Sequence, residues 1–178
     1  MSRACTIRAL ACLGLAFAVL ASMGAGPSQG PSSGSRPLPS FGLFAPDGHH
    51  VSSSALGGDV PWVLIYLKPD GPATPKLLSA LAQWALPPDL ARRVVLVVQG
   101  PLDVAAACLS AGPPSDGVVL AWYADPNGQA AQALALTGAP AIRGVRAGAM
   151  HWALDGVLND PMAYESAIRT WIGAPAAR

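Results

Sequence analysis

Two stretches of this chain, Trp62-Val63-Leu64-Ile65-Tyr66-Leu67 and Val94-Val95-Leu96-Val97-Val98, are apolar from end to end, with no polar residue at alternate positions. A strand half-covered by water alternates polar and apolar residues, so an unbroken run predicts a strand buried on both faces. Such a strand needs a packed layer above it and another below it, which points to helices around a central sheet. The segment between the two runs fits that need. Leu77, Leu78, Leu81, Trp84 and Ala85 recur at helical spacing and share one face. Thr74 followed by Pro75 predicts the helix start, with the threonine capping free N–H groups and the proline in the first turn.

The rest of the chain repeats the alternation. Phe41-Gly42-Leu43-Phe44 and Val51-Ser52-Ser53 flank Pro46-Asp47-Gly48, a hairpin pattern. Leu102 to Leu109 reads as a helix, and Gly117 to Tyr123 as a third strand. Asp125 and Pro126 open a short helix through Ala130, Leu134 and Leu136, which Thr137-Gly138-Ala139-Pro140 breaks. Ala141–Val145 and His151–Leu154 form a strand pair joined by Ala147-Gly148-Ala149. Asp160 and Pro161 begin a last helix, with Tyr164, Ile168, Trp171 and Ile172 on its apolar face and Gly173 at its end. Strands that alternate with helices predict an α/β domain with a mixed, mostly parallel central sheet and an N-terminal β-hairpin.

The N-terminus reads differently. Arg3 and Arg8 precede an uncharged apolar run from Ala9 to Ala21, and small residues follow at Ala21, Ser22, Gly24 and Ala25. Residues 1–25 therefore read as a signal peptide, cleaved after Ala21 or after Ala25. The rival reading is an uncleaved inner-membrane anchor, although the run is shorter than the roughly 20 residues that span a bilayer. Residues 26–37 form a Gly/Ser/Pro linker with nothing to bury. Residues 38–174 are then one domain, roughly 140 residues being enough for a core. The expected location is periplasmic or secreted, and the Ala, Gly and Pro bias suits a bacterial source.

Charge and cysteine content exclude several functions. The formal net charge is +1, which argues against a nucleic-acid partner. Cys5 and Cys12 fall in the leader, which leaves Cys108 alone. No Lys, Arg or His lies near it in sequence to lower its pKa, so a buried, inert thiol is one reading and a reactive thiol that pairs with another molecule is the other. His49, His50 and His151 do not amount to the three or four converging ligands of a metal site. Lys68 and Asp70 read as solvated loop charges. No Gly-x-Ser-x-Gly and no Gly-x-x-x-x-Gly-Lys occurs. No cofactor is expected.

In this order of parts the chain resembles the thioredoxin-like superfamily, and within it the exported TlpA/redoxin branch. The resemblance covers about residues 39–173. It rests on Pro39-Ser40-Phe41 and Asp47-Gly48, on Gly58-Asp59-Val60-Pro61-Trp62-Val63 leading into the first buried strand, on Asp125-Pro126, and on Leu136-Thr137-Gly138-Ala139-Pro140. The resemblance implies a Cys-x-x-Cys at the start of the first helix. Here Gly71, Pro72, Ala73 and Thr74 stand in that place. It also implies that Pro140 is a cis proline, and that Ala139 pairs its backbone with a bound peptide, against the plainer reading of an ordinary turn. A dithiol enzyme attacks with one thiolate and resolves the mixed disulfide with a second thiol. A chain without the pair is expected to be a non-catalytic binding or assembly factor with an envelope protein or peptide partner, touching membrane only if the leader is retained. The alternative is a thiol-disulfide oxidoreductase relative that acts through Cys108 alone.

Overall fold

The computed structural model describes residues 34–174, apart from 85, 113–119 and 157–160. The leader and most of the linker therefore lie outside the described residues, as do Ala85, Asp160 and the first part of the third strand. No helix among the described residues is long and apolar enough to cross a membrane.

The strands are β1 (Arg36–Pro37), β2 (Gly42–Phe44), β3 (His50–Ser52), β4 (Trp62–Leu67), β5 (Val94–Gln99), β6 (Ala121–Asp125), β7 (Ala141–Arg146) and β8 (Ala149–Asp155). They form one mixed sheet in the order β1-β8-β7-β4-β5-β6-β2-β3. Pairing is parallel for β4 with β5 and β5 with β6, and antiparallel on both flanks. The parallel part is thus the centre, where the two unbroken apolar runs lie side by side. The helices are α1 (Thr74–Gln83), α2 (Pro88–Ala91), α3 (Leu102–Ser110), α4 (Gln129–Ala133) and α5 (Pro161–Ile172).

Burial on both faces follows the expected alternation. Val63, Ile65 and Leu67 of β4, with Val94, Leu96 and Val98 of β5, pack with Leu77, Leu78 and Leu81 of α1, Ala105 of α3, and Ile168 and Ile172 of α5. Trp62, Leu64 and Tyr66, with Val95 and Val97, pack on the other side with Phe41, Leu43, Leu56, and Ala130 and Leu134 around α4. The first layer has four helices over it, since α2 adds Ala91. The second is closed largely by the N-terminal segment. Trp171 of α5 ties the first layer to the sheet by donating its indole N–H to the Trp62 carbonyl at 3.0 Å.

Two boundaries differ from the sequence reading. The linker ends earlier than residue 37, because Arg36 and Pro37 pair with Met150 and Ala149 as β1. A sheet edge tolerates a proline there, since its missing N–H faces away from the ladder. Asp125 and Pro126 do not open a helix. Asp125 is the last residue of β6, and α4 begins at Gln129 after a left-handed Gly128 (φ +66°).

Candidate functional site

Strand register gathers the candidate residues at one end of the sheet. Tyr66 of β4 pairs with Ala141 of β7, so the loop leaving β4 and the loop entering β7 lie at the same edge. The first carries Gly71, Pro72, Ala73 and the start of α1. The second carries Ala139 and Pro140.

The first loop folds back on itself. The Gly71 N–H donates to the Lys68 carbonyl at 3.0 Å, and the Thr74 N–H donates to the Gly71 carbonyl at 3.0 Å. Thr74 does not cap the helix, contrary to its expected role. It lies one residue inside α1, is 1% exposed, and turns its hydroxyl back to the Lys68 carbonyl at 2.6 Å. Ala73 occupies the cap position and makes no side-chain bond. Nothing from Gly71 to Thr74 can ionise. Lys68 and Asp70 are exposed and form no ion pair among the described residues.

The second loop is held at its ends and open in its middle. The Ala139–Pro140 peptide is cis. Pro140 is buried, and its carbonyl accepts the Gly156 N–H at 2.9 Å. Thr137 donates its hydroxyl to Asp155 at 3.3 Å. Ala139, half-buried between them, makes no backbone hydrogen bond among the described residues. Behind this loop, Arg143 is 1% exposed and lies 2.6 Å from an Asp155 oxygen. The same guanidinium nitrogen donates to the Ile142 and Leu154 carbonyls at 3.0 and 3.2 Å. The sequence reading placed Arg143 inside a strand without a role. The available signal was a lone cation in an apolar run, which has to find an anion when buried.

Next to this edge, Tyr66 donates its phenol to Asp125 at 3.0 Å, and the same carboxylate oxygen accepts the Ala130 and Ala131 N–H groups. Burial, then the Asp125 charge and the hydrogen bond to it, push the Tyr66 phenol above its ordinary value. Asp125 thus ties β4, β6 and α4 together from below the candidate edge.

Cys108 is elsewhere. It is half-buried on α3, against the core layer that contains α1. Burial pushes its thiol pKa up, away from the thiolate. The histidines are also apart. His49 pairs with Asp47 at 2.9 Å in the exposed hairpin turn, His50 packs edge-on against Phe44, and His151 lies against Trp171. No three His, Cys, Asp or Glu side chains converge among the described residues.

No family model matches this chain, and no curated protein matches its sequence. Solved structures do match. A putative thiol:disulfide interchange protein DsbE from Chlorobium tepidum is 20% identical with a TM-score of 0.63, over 77% of this chain and 96% of its own. An uncharacterized thioredoxin-like protein from Porphyromonas gingivalis is 15% identical with a TM-score of 0.58, over 76% and 92%. The chain has a thioredoxin-like fold. A secreted disulfide oxidoreductase of Mycobacterium tuberculosis, homologous to E. coli DsbE, overlays on the same fold at 15% identity and a TM-score of 0.57, over 73% and 95%. Within that thioredoxin-like fold the edge formed by residues 71–74 and 139–140 is the candidate site.

Proposed function

We propose that this chain is an exported thioredoxin-fold binding or assembly factor of the cell envelope that works without dithiol chemistry. The observation that carries the reading is the candidate edge itself. It keeps an open backbone at Ala139 but offers only Gly71, Pro72, Ala73 and Thr74 at the helix tip. Thiol exchange needs a thiolate there to attack and a second thiol to resolve the mixed disulfide. Cys108 lies six residues past the start of α3, about 9 Å along that helix, and its raised pKa disfavours the thiolate. An extended peptide needs no sulfur to bind at Ala139, because the free N–H and C=O can pair with it as an added strand. Export is supported by the leader pattern of residues 1–25, and one structural neighbour is named as secreted. N-terminal sequencing of the exported protein separates a cleaved leader from a retained anchor.

A second reading has one observation in its favour: two neighbours are named as thiol:disulfide interchange proteins. On that reading Cys108 exchanges with a partner or with glutathione. Insulin reduction by dithiothreitol, with and without the purified protein, separates the two. The binding reading predicts no acceleration. Acceleration that disappears in Cys108→Ser establishes the second reading instead.

A further inference from the structure

At the opposite end of β4 the described residues form a cavity of about 340 Å³ whose lining includes Leu38, Ser40, Leu56, Asp59, Trp62 and Gly148. Trp62 is the first residue of β4, whereas the candidate edge follows its last residue, Leu67. The two sites are therefore separated by the length of a six-residue strand, about 20 Å at ~3.3 Å per residue. The cavity falls within the size range of small-molecule clefts, roughly 300–1,000 Å³.

We propose that this cavity binds a small organic cation, an ammonium group carried on a short apolar body. The apolar part of the lining is the half-buried Leu38, backed by Leu56 and Trp62, which are buried in the second core layer. The rim is polar and carries one formal charge, the carboxylate of Asp59, which is exposed and has no ion-pair or hydrogen-bond partner among the described residues. Ser40 brings an exposed hydroxyl whose oxygen can accept from an ammonium, while the exposed Ser54 hydroxyl already shares a hydrogen bond with the Ser52 hydroxyl at 3.0 Å. Ser53 is 2% exposed and is likewise committed, donating to the Pro39 carbonyl and accepting the Phe41 N–H. No basic side chain is among the described residues that line the cavity. The nearest in sequence, Arg146, instead stacks its guanidinium 4.7 Å over the Trp171 ring, against the other core layer. Gly58 and Gly148 sit at φ +66° and +69°, and a Cβ on either would meet nothing within 4 Å, so both leave the rim open.

The test uses three probes of one size and different charge, n-butylammonium, 1-butanol and butyrate, titrated into the ¹⁵N-labelled protein. The amides of Gly58, Asp59 and Gly148 are followed by NMR. The proposal predicts saturable shifts at these amides with butylammonium, weaker ones with butanol and the weakest with butyrate. Asp59→Asn is expected to weaken butylammonium binding by about two- to fivefold, the range for one exposed charge contact, and to leave butanol unchanged. No saturable shift at these amides, or a response to butyrate equal to that of butylammonium, overturns it. Both readouts are independent of any thiol chemistry and of binding at Ala139.

Discussion

Replacing Asp155 by alanine should destabilise the fold far more than its place at the end of a strand suggests. Asp155 faces Arg143, a guanidinium with 1% side-chain exposure, across 2.6 Å. Removing the acid leaves that cation buried without its counter-charge, and breaking such a pair typically costs about 3–5 kcal/mol. Two features set the expectation at the lower end. The Asp155 side chain keeps 10% exposure, and Arg143 retains the Ile142 and Leu154 carbonyls. A loss of about 3 kcal/mol, divided by a urea slope of about 1–3 kcal/mol per molar, lowers the unfolding midpoint by about 1–3 M. The assay is urea unfolding followed by tryptophan fluorescence. The double variant Arg143→Met/Asp155→Leu should recover most of the loss, because replacing both charges by apolar groups removes the unpaired cation. An Asp155→Ala midpoint within about 0.2 M of wild type would refute the argument, since it would mean the pair contributes only what an exposed one does.

Other outcomes follow from the same contacts. Cys108 should react slowly with a thiol reagent near neutral pH in the folded protein and rapidly once denatured, because burial raises its pKa; fast labelling of the native chain contradicts this. Tyr66, raised by burial and by Asp125, keeps its proton in the fold above pH ~10, where the unfolded chain loses it. Stability should then fall with rising pH by about 1.4 kcal/mol per unit in that range, and Tyr66→Phe should flatten the slope in urea titrations at stepped pH. Gly144→Ala should destabilise by about 1–3 kcal/mol or more, because the added Cβ would overlap the Trp152 indole that lies over Gly144; a neutral effect on the thermal midpoint would show that Trp152 moves freely.

The core was legible in the sequence because burial on two faces leaves a mark that needs no partner to read. The runs at 62–67 and 94–98 carry it, and both became central strands with side chains sent alternately to the two layers. The hairpin at Asp47-Gly48 was legible for a similar reason, since turn chemistry is local. What escaped depended on groups far apart in the chain. Thr74 has the residue type of a cap, but its hydroxyl is taken by a carbonyl six residues earlier, which spacing does not reveal. Asp125 followed by Pro126 has the pattern of a helix start, and its carboxylate does serve the N–H groups of Ala130 and Ala131, yet its backbone belongs to β6. Arg143 with Asp155, and Tyr66 with Asp125, are contacts between strands that only the register brings together. The pairing of Arg36–Pro37 with β8 was hidden by a composition typical of linkers.

Capture of a partner from the envelope fraction, with the wild-type protein and with Cys108→Ser side by side, bears most directly on sulfur-free recognition. Recovery of one and the same partner by both, released by mild denaturant without reductant, is the expected result. A partner held only by the wild-type chain, and freed only by dithiothreitol, would place the activity on Cys108 and contradict the account.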